Sequence, residues 1–238
     1  VSASTYNLIK LAVYESKQNF GFNALIGPVV KLWHIGFKGA HVPTDAQIKA
    51  KMGLTNPDDV VLDDANQTVF LTKKGMELDL GGIAKGYIAD RIRDLWRAYD
   101  VRAGIINLGG NVLFVNSSPK RASGEWILGV QDPKKKRGDN LTTATVHECS
   151  AVTSGTYERF LEINGKKYHH IIDPKTGYPV QTHVAGVTLF TRDSVQAEIE
   201  CKRLFFAGGS IPGWKNDKAG RYGAIFVYDD DSIERIGV

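Results

Sequence analysis

Two cysteines in 238 residues, Cys149 and Cys201, are too few for a disulfide framework and make no metal-ligand spacing. They read as two buried small hydrophobes. No apolar run approaches the roughly 18 residues that a membrane span needs. Neither a GxGxxG fingerprint nor a P-loop occurs. Internal repeats and low-complexity linkers are absent as well. The basic run KKKR at 134–137 has no aromatic platform or recognition motif beside it. It reads as a solvated loop tip, and no nucleic-acid partner is expected. The chain opens at Val1 with neither a start Met nor a signal peptide, so a targeting segment is expected to have been removed or to lie outside it.

What is present is an ordinary globular composition, 42% hydrophobic and 24% charged, at a length that suits one large domain or two closely joined lobes. A net charge of +4 fits an anionic ligand and is too weak to indicate nucleic acid. Helical spacing of Leu8, Leu11, Ala12 and Tyr14 predicts a helix over 3–18. Val29–Ile35 is a second amphipathic segment, and Thr44 opens a capped helix that Gly53 ends. A hairpin is expected at Val60–Leu62 and Thr68–Leu71. A further helix is predicted over Ala84–Tyr99, preceded by a strand that a Gly pair breaks. AGIINLGGNVLFV reads as another strand broken by glycines. Later strands fall at Trp126–Gln131, Ala144–Val146, Tyr157–Ile163, Gly186–Phe190 and Gly223–Tyr228, with a helix at Ser194–Ala207. Several neighbouring strands look like hairpins, which gives an α+β chain with largely antiparallel sheets and packed helices.

Three segments carry chemistry. In LDLGGIAKGY (78–87) two glycines allow a close backbone approach, the helix start presents unpaired N–H groups, and Lys85 adds a cation. Together these suit a phosphate or pyrophosphate. INLGGNV (106–112) repeats the device. TSGTYERF and then YHHIIDPKTGYPV supply the hydroxyls of Thr153 and Ser154, the adjacent His169 and His170, and a turn opened by Asp173. In an extended segment the two imidazoles point to opposite faces, so only one of them can serve a site.

DLGGIAKGY, NLGGNV, TSGTYER and HHIIDPKTGYP, in this order and at these spacings, resemble the ApbE family of FAD:protein FMN transferases. The early GFNALIGPVVKLW is similar to another motif of that family, and the likeness runs from about residue 5 to the C-terminus. It implies one ApbE-like flavin-binding domain over 1–238, compact, with two interlocked lobes and the flavin site between them. The implied activity moves FMN from FAD to a threonine hydroxyl of an acceptor protein and releases AMP, with magnesium as the usual metal. An exported, lipid-anchored protein of the bacterial cell envelope is implied too, membrane-attached only through an N-terminal segment not in this chain.

Position by position, the resemblance assigns Gly21, Phe22, Asn23, Asp79, Lys85, Thr153, His170 and Ile172 to FAD. Asn23 stands where the family has an acid. His170, Asp173 and Lys85 are the candidate catalytic groups, with His170 as base or transient nucleophile. The Gly82 carbonyl, Glu198 and position 202 correspond to the metal ligands. There the chain departs from the family: an Asp and a Thr four residues later are replaced by Glu198 and Lys202. The i, i+4 spacing keeps both side chains on one helix face. Glu198 remains a hard oxygen ligand, whereas a protonated Lys202 cannot bind a metal. Either Lys202 supplies the positive charge and metal dependence is altered, or a non-catalytic FAD-binding protein remains. An FAD pyrophosphatase, with water in place of threonine, is a third reading. DNLTTAT (139–145) resembles the family's acceptor motif with Asn140 in place of Gly, but it runs into an expected strand, so no covalent flavin is expected on this chain.

Overall fold

A computed structural model describes residues 1–216 and 220–238. In chain order its elements are α1 (Ala3–Lys17), α2 (Gly27–Trp33), α3 (Asp45–Met52), β1 (Val60–Asp63), β2 (Thr68–Leu71), α4 (Ala84–Ala98), β3 (Gly104–Asn107), β4 (Asn111–Val115), β5 (Trp126–Gln131), β6 (Asn140–Val146), β7 (Cys149–Gly155), β8 (Phe160–Ile163), β9 (Lys166–His169), β10 (Val184–Thr191), α5 (Ser194–Ala207), β11 (Arg221–Tyr228) and β12 (Ile233–Ile236). The chain divides into two compact units. The first is Val1–Gly82 with Glu158–Gln181, and the second is Ile83–Tyr157 with Thr182–Val238.

The first unit holds α1, α2, α3 and the antiparallel hairpins β1–β2 and β8–β9. Ser2 caps α1 through Thr5 N–H, and Thr44 with Gln47 closes a full capping box on α3. The core gathers Val29, Trp33, Ile35, Ile48 and Ile172. Trp33 lies with its ring centroid 5.5 Å from that of Tyr168 and 5.7 Å from that of Tyr178, and its indole N–H donates to the Gly177 carbonyl at 2.8 Å. That bond ties the DPKTG turn to α2. Gly177 has φ of 75°, and a Cβ there would lie 2.5 Å from Ile48 Cγ2, so the turn needs glycine on both counts.

The second unit is built on a six-stranded antiparallel sheet of order β12-β11-β10-β7-β4-β3. Helix α5 packs on β7 and β10, and α4 packs on β3 and β4. Hairpin β5–β6 contributes Trp126, Val130, Ala144 and Val146 to a core shared with Phe114, Phe190 and Ile225. Cys149 and Cys201 are both buried free thiols, and burial pushes Cys149 up to about 12 and Cys201 to about 11. The helices meet closely because Gly86 of α4 has no side chain. A Cβ there would lie 2.4 Å from the Ser194 carbonyl oxygen.

The helix expectations hold to within two residues at either end. The strand expectations hold less well. No strand precedes the first Gly pair, because 77–80 is irregular backbone. The strand expected at Tyr157–Ile163 is only β8, because 156–159 form a turn; the strand before that turn is β7, whose sequence CSAVTSG is too small and polar to read as a central strand. Strands β9 and β12 carry charged, exposed residues and gave no apolar signal. The DNLTTAT segment lies in β6, paired with β5, and its Thr142 hydroxyl accepts from Arg235 at 2.6 Å.

Candidate functional site

In the first unit the chain brings the Gly21–Asn23 turn next to Asp79. Gly21 adopts φ of 114°, Phe22 is buried, and the Asp79 N–H donates to the Ala24 carbonyl at 2.7 Å. Asn23 is fully engaged as turn chemistry: its amide donates to the Thr55 carbonyl at 2.9 Å and its Oδ1 accepts from Leu25 N–H at 2.8 Å. The Asp79 carboxylate accepts from Gly81 N–H at 2.8 Å. Neither Gly81 nor Gly82 takes a positive φ. A cavity of about 420 Å³ is lined by Phe22, Asn23, Thr55, Lys17, Pro174 and Lys175, so the Gly-Phe-Asn turn and the Asp173 loop share one pocket.

The two histidines have distinct environments. His169 Nε2 donates to the Val180 carbonyl at 2.9 Å, while its Nδ1 accepts from Ile171 N–H at 3.3 Å. Both nitrogens are thereby used structurally. His170 Nδ1 lies 3.2 Å from the Arg159 carbonyl, which can only accept, and this makes Nε2 the basic nitrogen. Asp173 accepts from Lys175 N–H at 2.8 Å and opens the turn. Ile172, assigned to the flavin by resemblance, packs in the core with Trp33 and Ile48.

In the second unit Lys85, Thr153, Glu198 and Lys202 come together around the Gly109–Gly110 turn. It is this second glycine pair that needs its conformational freedom, with φ of 67° and 74°. Lys85 Nζ donates to the Gly109 carbonyl at 3.2 Å, and Thr153 N–H donates to the Gly110 carbonyl at 2.8 Å. The Thr153 hydroxyl pairs with that of Thr188 at 2.9 Å. Lys85 sits in the first turn of α4, where the N-cap residue Ile83 offers no side-chain acceptor.

Glu198 lies beneath this turn with its side chain 3% exposed. Its Oε1 accepts from Asn111 Nδ2 at 3.0 Å and lies 3.6 Å from Lys85 Nζ. Its Oε2 accepts from Lys202 Nζ at 3.0 Å, and the same ammonium donates to the Glu198 carbonyl at 3.1 Å. Burial pushes this carboxyl up, but the Lys202 and Lys85 charges and the Asn111 hydrogen bond outweigh it and hold it below the usual glutamate range. Asn111 is itself fixed, since its Oδ1 accepts from the buried Ser194 hydroxyl at 2.9 Å.

Asn111 and Ser194 were missed from the sequence. Asn111 directly follows a glycine pair already singled out, and that adjacency was the available signal. The KKKR run is exposed, as a solvated loop tip would be. Lys134 and Lys135 pair with Asp231 and Asp132, and a Cβ on Gly109 would lie 3.9 Å from Arg137 Nη2.

The ApbE family model matches residues 1–226. This chain belongs to the ApbE family. It is 45% identical over 209 residues to the FAD:protein FMN transferase of Klebsiella pneumoniae, and 38% identical over 220 residues to that of Treponema pallidum. Each match covers 87% of this chain; the chain spans 64% and 61% of the length of these two curated relatives. The crystal structure of the ApbE protein from Thermotoga maritima superposes with a TM-score of 0.87 at 31% identity, covering 99% of this chain and 76% of that one. The apo flavinyl transferase ApbE of Pseudomonas stutzeri shares the fold, with a TM-score of 0.77 at 22% identity. The α+β architecture with antiparallel sheets is therefore that of ApbE proteins.

Proposed function

We propose that this ApbE chain transfers FMN from FAD to a threonine hydroxyl of an acceptor protein and releases AMP. The single observation that carries the reading is the charge arrangement at the Gly109–Gly110 turn. Lys85 and Lys202 outnumber the buried Glu198, and this leaves a net positive site beside glycine backbone, which suits a diphosphate. The names of the relatives support the same activity. In this proposal the acceptor oxygen bonds to the FMN phosphorus, the bond from that phosphorus to the AMP oxygen breaks, and AMP departs. The family resemblance nominates His170 as the base that takes the hydroxyl proton. Lys85 offsets the charge that grows on the leaving oxygen.

Magnesium is the metal that the resemblance implies, through the Gly82 carbonyl, Glu198 and position 202. The donor set of this chain does not fit it. Lys202 has no lone pair to offer when protonated, and both Glu198 oxygens already take hydrogen bonds or ammonium contacts. Among the described residues no cluster of three or more His, Cys, Asp or Glu side chains is arranged to hold a metal. No step is therefore routed through a metal. The same observation favours a second reading, a non-catalytic FAD-binding protein; FAD pyrophosphatase activity differs only by water replacing the threonine. An exported, lipid-anchored location belongs to the proposal through the family resemblance. No described helix is long and apolar enough to cross a membrane.

The test is His170→Ala. It should abolish FMN transfer and leave FAD affinity within about threefold, as read by fluorescence titration. Retained transfer would move the base elsewhere. The native chain should also prefer FAD to riboflavin several-fold, because charge-assisted contacts to the diphosphate are lost with riboflavin. Equal affinities would remove the diphosphate site from the account.

A further inference from the structure

We infer that Lys202 is a resident cation, so that this chain binds the diphosphate of a flavin nucleotide without a divalent metal. The inference rests on the FAD reading above and deepens it. Four observations carry it, all within the second unit.

Lys202 is held on two sides by one residue. Its ammonium donates to the Glu198 carbonyl at 3.1 Å and to Oε2 at 3.0 Å, a geometry that the i, i+4 spacing on α5 imposes. An ammonium has three protons, so one remains to point away from the pair. The side chain is 17% exposed, enough for that proton to meet a ligand. Next, Glu198 is not on offer to an incoming ion. Asn111 holds Oε1, Lys85 stands 3.6 Å from it, and Lys202 takes Oε2. The Ser194 hydroxyl anchors Asn111 in turn and opposes any rotation of this carboxylate.

Charge decides between an ammonium and a metal here. Lys85 and Lys202 against Glu198 sum to +1. A divalent cation would enter against two ammonium groups with no free carboxylate to receive it. A diphosphate meets the opposite situation. It finds Lys85 at the start of α4, the third proton of Lys202, and the left-handed Gly109–Gly110 backbone. Lysine brings one charge and no fixed coordination geometry, so it replaces the electrostatic share of a metal and not its templating of the ligand. Glu198 becomes the support for the cation.

The experiment has two arms. In the first, Mn²⁺ alone is titrated into the apo protein and followed by electron paramagnetic resonance, for the native chain, Lys202→Thr and Lys202→Arg. The native chain and Lys202→Arg should leave Mn²⁺ free, and Lys202→Thr should bind it at least tenfold more tightly. In the second, FAD affinity is measured with EDTA or with Mg²⁺. The native affinity should agree within twofold in the two conditions. Lys202→Thr should lose tenfold or more in EDTA and recover with Mg²⁺. Tight native Mn²⁺ binding, or a tenfold fall in native FAD affinity in EDTA, would overturn the inference, as would identical metal responses of native chain and Lys202→Thr. If Lys202→Thr does not fold, the native and Lys202→Arg curves still decide. If no variant binds FAD in any condition, the functional proposal fails, and the Mn²⁺ arm tests Lys202 independently.

Discussion

Asn111 carries more of the site than its single side chain suggests, and Asn111→Ala measures how much. The residue is fully buried at the start of β4. Its amide donates to the Glu198 carboxylate at 3.0 Å, and its carbonyl accepts from Ser194 Oγ at 2.9 Å. A hydrogen bond to a charged group contributes about 1.5–3 kcal/mol, and leaving a buried hydroxyl without its acceptor costs about 1–3 kcal/mol. The two losses share one network and do not add fully, so a cost of about 3–5 kcal/mol is expected. For a chain of this size that is a fall in Tm of roughly 6–20 °C. With its orienting donor gone, Glu198 also loses its fixed position, and FAD affinity should drop several-fold. Asn111→Asp supplies the sign control. It sets a second carboxylate where the amide met Glu198, and like charges raise the affinity of the pair for a proton. The folded state then binds more protons than the unfolded state, so this variant gains stability as pH falls from 7 toward 4. Thermal unfolding and FAD titration read both effects. A Tm within 2 °C of native with unchanged FAD affinity would refute the network.

Gly86→Ala places a methyl group 2.4 Å from the Ser194 carbonyl, so it should cost about 3 kcal/mol or more by forcing α4 from α5; denaturant unfolding within 0.5 kcal/mol of native would contradict that contact. The folded pKa of Glu198 lies below its unfolded value of about 4.3. Its contribution is therefore complete above that pH and lost as pH falls through the folded value. Glu198→Gln should be less stable at pH 7, and its Tm should fall less steeply below about pH 4.3; parallel Tm curves would remove its ion pairs from the account. Arg137→Ala should weaken FAD binding a few-fold and reduce its salt dependence, whereas an unchanged salt slope would return the residue to the solvated loop tip.

The helices were legible because their signals are local. Thr44 with Gln47 forms the capping box that its spacing announces, and the α4 and α5 patterns sit in one turn-bounded stretch each. Strand β7 was not legible. It is a central strand between β10 and β4, yet its small and polar residues show no alternation, because burial on both faces removes the need for one. At the site, the two glycine pairs differ in backbone conformation. Gly81 and Gly82 use ordinary φ, while Gly109 and Gly110 hold the left-handed turn. The Glu198–Lys202 pair was visible as a spacing, but its partners were not. Asn111 stands 87 residues from Glu198 in the chain, and only the sheet brings them together.

The central claim is that this ApbE chain moves FMN from FAD to protein. The direct measurement incubates the purified chain with FAD and a flavin-free extract of exported bacterial proteins. AMP is followed by chromatography and covalent flavin by in-gel fluorescence, with His170→Ala in parallel. The account predicts AMP and a fluorescent protein band appearing together with the native chain and neither with His170→Ala. FAD that is bound but left intact, with or without Mg²⁺, would contradict it.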